Sequence, residues 1–290
     1  MTKYSRATGF FLFFYLFLFE GFQTSKCFAQ QTQASPSQGA AAAKSPADTA
    51  PPPRRVLNGP FVLVLDAGHG GHDSGAKGRY SMEKDVALSI TLKVASLVRI
   101  NSKDINLILT RSTDDFIELN ERARIANQYK ANLFVCIHCN SVRNHRYSPE
   151  GAETYVLGLS DVNRNLENAI RENSVITLEA NYQEKYGGFD PNSPESYIIF
   201  SMKQNRNLRK SLRIANEIQA QFYKNNRVDR GVKQEPLLVL RNTTMPGILV
   251  ETGYISSAGE EDYLNSGDGQ NTLARSIYDA LVQYKNEMYK

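Results

Sequence analysis

Three apolar runs in this chain each end on a side chain able to hold a metal ion or move a proton. FVLVLD (61–66) runs into AGHGGHDSG and delivers His69 in a glycine-rich turn. LFVCIHCNS (133–141) delivers His138, and GILV (247–250) delivers Glu251. Short apolar runs of this kind lie inside a sheet. In open α/β sheets, ligands bind in the crevice outside the carboxyl ends of the strands. Two imidazoles and a carboxylate at three such ends point to a metal-dependent active site.

A hydrolytic zinc site needs three protein ligands of nitrogen and oxygen type, with the fourth position left to water. His69 and His138 supply the imidazoles, and Asp73, Glu83 and Asp85 compete for the third place. Glu83 is the best placed of the three. It opens the helix after the flexible GAKGRYSM turn, so its side chain can swing back toward His69. His72 lies beyond two glycines and reads as a surface or supporting residue. A single histidine at a strand end is more often a hydrogen-bonded turn residue than a ligand. Two at equivalent ends, with carboxylates to match, shift that balance. A phosphate-loop reading of AGHGGHDSG fails on spacing, because Asp73 stands where a third glycine is needed and no P-loop lysine appears.

The elements that must position these residues alternate along the chain. Strands are expected at Phe61–Asp66, Ile105–Thr110, Leu133–Ile137, Ala152–Leu157, Leu237–Arg241 and Gly247–Val250. Val86, Ile90, Val94 and Leu97 mark one face of a helix starting near Met82. Leu208, Leu212, Ala215, Ile218 and Phe222 mark a second, and Leu273, Ile277, Leu281, Tyr284 and Met288 a third. Alternating strands and helices imply a single α/β domain over 59–290, its sheet covered on both faces. The stretch Ser160–Glu195 breaks the alternation with a polar, helix-like run (163–185) and a GGFDPNSPES loop. Insertions of this kind are often functional.

The first 58 residues are read as processing and tether. Lys3 and Arg6 precede the apolar run Phe10–Phe19, too short to span a bilayer as a helix. With a small-residue cut after Ala29, 1–29 is a secretory signal peptide. A lipoprotein modified at Cys27 is the rival, and Lys26 argues against it. The Ala-, Pro- and Gln-rich segment 30–58 cannot bury apolar surface and reads as a disordered linker. No membrane span is expected once the signal is removed, and the protein is expected to be exported, to the periplasm. Cys136 and Cys139 flank His138 with no second pair for a zinc site, and read as small buried hydrophobes. Lys and Arg number 34 against 30 Asp and Glu, a mild excess that suits anionic cell-wall polymers but is no nucleic-acid footprint.

LDAGHGGHDSGA, EKDVAL, TRSTDDFIELNERARIAN, LFVCIHCNS and MPGILVETGYIS occur in that order. Together they resemble the zinc-dependent N-acetylmuramoyl-L-alanine amidases of the AmiA/AmiB/AmiC type. The resemblance implies a mixed, six-stranded sheet with helices on both sides, and one zinc ion held by His69, Glu83 and His138. It implies hydrolysis of the amide joining N-acetylmuramic acid to L-alanine in peptidoglycan, with Glu251 passing a proton from water to the departing nitrogen. All four positions are filled, which argues against a wall-binding module that kept the fold but lost turnover. No HExxH helix is present to support a thermolysin-like peptidase acting in the stem peptide. RENSVITLEANY (171–182) is similar to a regulatory segment that covers the zinc until an activator protein displaces it. That likeness puts Glu172 or Glu179 at the open coordination position; an exposed substrate-binding helix is the alternative. Asn140 is a candidate for positioning substrate or His138. Arg111 is assigned no catalytic role, and most charges from Arg111 to Arg124 are expected on a solvated helix face.

Overall fold

The computed structural model describes residues 59–142, 149–158, 166–201 and 206–289. The expected signal peptide and linker, and 160–165 of the insertion, lie outside the described residues. The elements run β1 (Phe61–Ala67), α1 (Glu83–Asn101), β2 (Ile105–Leu109), α2 (Leu119–Gln128), β3 (Leu133–Asn140) and β4 (Ala152–Leu157). Three short helices follow, α3 (Glu167–Asn173), α4 (Tyr182–Lys185) and α5 (Pro194–Ser201), with a 3-10 turn at Ser174–Leu178 between the first two. The chain closes through α6 (Leu208–Lys224), β5 (Asp229–Glu235), α7 (Leu238–Arg241), β6 (Gly247–Tyr254), α8 (Ala258–Asn265) and α9 (Gly267–Met288).

The strands form one six-stranded sheet in the order β2-β1-β3-β6-β4-β5. It is parallel except where β4 meets β6 in antiparallel register, so it is mixed, as expected. Successive side chains in a strand point to opposite faces, and here both faces are buried. Leu63, Leu65, Val135, Ile137, Ile248 and Val250 pack against the apolar stripes of α1, α6 and α9. Val64, Phe134, Cys136, Tyr155 and Leu249 face the other way, toward α2, α7 and the insertion. Among the described residues no helix is long and apolar enough to cross a membrane.

Two expectations are corrected. Leu237–Arg241 is not a strand: Leu238–Arg241 is one helical turn, with Leu238, Val239 and Leu240 all buried. A short, wholly buried apolar run carries no period by which to tell strand from helix. The sixth strand is instead the polar β5, DRGVKQE, an edge strand whose residues are exposed or half-buried except Glu235. The helix-like run 163–185 is also broken. Its described part splits into α3, the 3-10 turn and α4, with Asn181 in the left-handed region (φ 56°) at the last break.

β3 and β6 extend beyond their expected ends. His138 and Glu251 therefore sit inside the ladder, directly opposite one another in register.

Candidate metal centre

His69 lies two residues past β1, in the left-handed region (φ 59°). Its Nδ1 is 2.7 Å from Oδ2 of Asp73, which leaves Nε2 pointing inward. A carboxylate bonded to one ring nitrogen fixes the tautomer and aims the other nitrogen at a metal. Glu83 is the first residue of α1 and fully buried. The backbone N–H of Ala76 donates to its Oε2 (2.9 Å), and that of Cys139 to its Oε1 (3.0 Å). His138 presents Nδ1 at 2.9 Å from the same Oε1.

A fourth group enters from the insertion. Oε2 of Glu172, on α3, lies 3.0 Å from His138 Nδ1 and 3.6 Å from His69 Nε2. One ligand atom each from His69, Glu83, His138 and Glu172 fall within 4.8 Å of one another, all buried. Among the described residues His69 Nε2 and Glu172 Oε2 have no hydrogen-bond partner, although His69 Nε2 is only 3.1 Å from Glu83 Oε1. These atoms converge on a common centre. Two imidazoles and two carboxylates in a closed shell suit zinc. Glycine makes room for them. A Cβ at Gly75 would fall 2.6 Å from His69 Cδ2, and one at Gly68 would overlap the His138 ring.

Glu251 stands beside this shell. It is fully buried, and among the described residues neither carboxylate oxygen has a hydrogen-bond partner. Burial, reinforced by the Glu172 charge, pushes its carboxyl well above the usual range, although Arg171 and His138 pull the other way. Glu83 behaves oppositely. Burial alone would raise it, but the nearby His69 charge and the hydrogen bond with His138 hold it well below that range. Burial would lower His69, yet Glu83 and Asp73 raise it to about 9. Two nearby carboxylates driven apart in this way are what a site with one anionic ligand and one proton carrier requires.

A family model described as N-acetylmuramoyl-L-alanine amidase matches residues 63–283. The chain belongs to that amidase family. It is 31% identical to AmiA of Escherichia coli K12 over 80% of its own length and 79% of that protein. It is also 31% identical to AmiC of Escherichia coli O6:H1 over 82% of its length, and there it spans only 56% of the relative. Among solved structures, the catalytic domain of CwlV from Paenibacillus polymyxa var. colistinus is 33% identical, with TM-score 0.56 over 78% of this chain and 98% of that one. AmiC2 of Nostoc punctiforme is 29% identical, with TM-score 0.56 over 78% of this chain and 97% of that one.

In this amidase the competing acids separate cleanly. Asp73 lies behind His69 as its hydrogen-bond partner, and Asp85 is exposed on α1. Glu179 does not reach the centre. It accepts from the backbone N–H of Leu119 (3.0 Å) and the Tyr186 hydroxyl (2.9 Å), tying the insertion to α2. His72 is exposed and stacks on Phe116, with ring centroids 4.0 Å apart. Cys136 and Cys139 are free and buried, and burial beside Asp66 pushes the Cys136 thiol up to about 12. Asn140 donates to Glu153, while its Oδ1 accepts from Arg171 (3.0 Å). Of the charges expected on a solvated helix face, Arg124 pairs with Glu121 there, but Arg111 and Arg122 are buried. Sequence reasoning gave Arg171 no role, and only its place beside Glu172 could have flagged it. Its Nε donates to Glu172 Oε1 (2.9 Å), and its Nη2 faces Glu251.

Proposed function

We propose that this amidase is exported and uses one zinc ion to hydrolyse the bond between N-acetylmuramic acid and L-alanine in peptidoglycan. The observation that supports this reading is the buried His69–Glu83–His138 set, with beside it the carboxylate of Glu251, which has no hydrogen bond among the described residues. A bound zinc ion supplies Lewis acidity to a carbonyl and to water. Glu83 contributes the anionic ligand, Asp73 holds the His69 tautomer, and the buried walls exclude bulk solvent. Glu251 takes a proton from water on its carboxylate and returns it to the departing alanine nitrogen, which needs a pKa near the working pH.

In the state described here Glu172 fills the place a substrate would take. We read 160–195 as an autoinhibitory cover, displaced by an activator protein during cell-wall remodelling or daughter-cell separation in the periplasm. Asn140 then serves as an anchor for Arg171 and a candidate substrate-positioning group.

Purified protein, with Glu172→Ala as the uncovered form, is incubated with cell-wall sacculi and the products are read by mass spectrometry. Free stem peptides and intact glycan are expected. They should vanish in Glu251→Gln and on chelation, and return with added zinc after chelation only. Cleavage within the stem peptide, or wall binding without any release, would overturn the assignment.

A further inference from the structure

Two guanidinium groups lie buried behind the centre, and among the described residues neither hydrogen-bonds a ligand side chain. Arg111 is 3% exposed and Arg122 1%. Arg122 donates from Nη1 to the carbonyl of Ala67 (2.7 Å) and from Nη2 to that of His69 (2.8 Å). Arg111 donates from Nε to the carbonyl of Ala67 (2.9 Å) and from Nη2 to that of Gly68 (2.6 Å). Three consecutive carbonyls, 67 to 69, are thus held by two planar forks. The residue they end on is His69, whose left-handed backbone is one that side-chain-bearing residues avoid.

The same pair reaches the other ligands. Arg111 Nη2 also donates to the carbonyl of Lys84 (2.8 Å), in the first turn of α1 beside Glu83. Arg122 Nη1 donates to Oδ1 of Asp66 (2.8 Å), whose Oδ2 accepts from the Cys136 thiol (2.8 Å). Asp66 and Cys136 are opposite in register, and Cys136 shares its strand face with His138. Burying two cations against one carboxylate is costly, and an apolar residue of similar size would stabilise the fold at least as well. What arginine adds is a rigid fork that fixes several acceptors at once.

We propose that Arg111 and Arg122 are positioning residues that hold the 67–69 carbonyls, and with them His69, and so set how tightly the centre binds its metal ion. This rests on His69 being a ligand of that ion.

The test measures zinc affinity by competition with a chromogenic chelator, alongside the melting temperature of the metal-free chain. Lysine at either position keeps the charge but loses the fork, and methionine keeps the shape but loses both. Arg111→Lys, Arg122→Lys, Arg111→Met and Arg122→Met are each expected to bind zinc about 10- to 100-fold more weakly, the range seen when outer-shell partners of ligands are removed. His69→Ala is the reference. If it loses zinc while the arginine variants bind as tightly as the parent, the proposal is overturned. If His69→Ala itself binds zinc normally, the ligand assignment is what fails. Unfolding of both substitutions at both positions would also overturn the proposal, because the arginines would then be determinants of the fold.

Discussion

Arg171 Nη2 lies 3.5 Å from Oε1 of Glu251, while its neighbour Glu172 reaches both histidines. One dipeptide on α3 therefore sets a cation against the proposed proton carrier and an anion against the proposed metal ligands. Glu172→Ala removes the anion and weakens the hold of α3. Sacculus hydrolysis without any activator is expected to rise roughly 5- to 150-fold, the span of ordinary coupling energies. A fall in hydrolysis would mean that α3 builds the substrate site instead of covering it.

Gly68→Ala places a methyl group against the His138 ring. The ring must move or the turn must shift, at a cost of about 1–3 kcal/mol. A lower melting temperature with weaker zinc retention is expected, and unchanged zinc content after dialysis would contradict the described packing.

How much of this was legible in sequence depends on burial. β1, β3 and β6 announce themselves through unbroken apolar runs, and each delivers its site residue to the same sheet edge. Glu83 was legible because it opens an amphipathic helix. β5 was not, because an exposed edge strand needs no apolar residues, and Leu238–Arg241 was misread because a buried single turn looks like a strand. Arg122 was misplaced for a related reason. A helix-face arginine gives no sign of whether it meets water or backbone carbonyls. Glu179 and Glu172 are chemically identical in sequence, and only the 3-10 turn between them sends one to the centre and the other to α2.

The turn ahead of Glu83 is pinned by Glu261 of α8. This buried carboxylate accepts from the backbone N–H groups of Arg79, Tyr80 and Ser81, each at 2.9 Å, and from the Ser81 hydroxyl at 2.8 Å. Burial would raise its pKa, but these donors and the Arg79 side chain lower it from 4.5 to about 2. The sign follows directly. Its stabilisation is fully present above pH 4.5 and is lost as pH falls toward 2. Glu261→Gln is expected to cost on the order of 1–3 kcal/mol at neutral pH. The difference from the parent should shrink in acid denaturation curves, and a constant difference from pH 7 to pH 2 would refute it.

Glu235, at the end of β5, behaves oppositely. Burial, with the charge of Glu153, raises its carboxyl from 4.5 to about 7 although Asn168 donates to it (3.2 Å). The folded state therefore gains from the protonated form below pH 4.5 and loses that gain as pH climbs through 7. Glu235→Gln keeps an acceptor for Asn168 and cannot ionise. Its melting temperature should match the parent near pH 4 and exceed it above pH 7, by on the order of 2–3 kcal/mol of stability. A variant equally or less stable at pH 8 would rule this out.

Three of the four clustered groups hang from β1, α1 and β3, whereas the fourth arrives on the connection between β4 and β5. The proposed ligand set and the proposed cover thus sit on different parts of the chain. On the proposed reading, a change confined to that one connection would alter the fourth group without touching the other three.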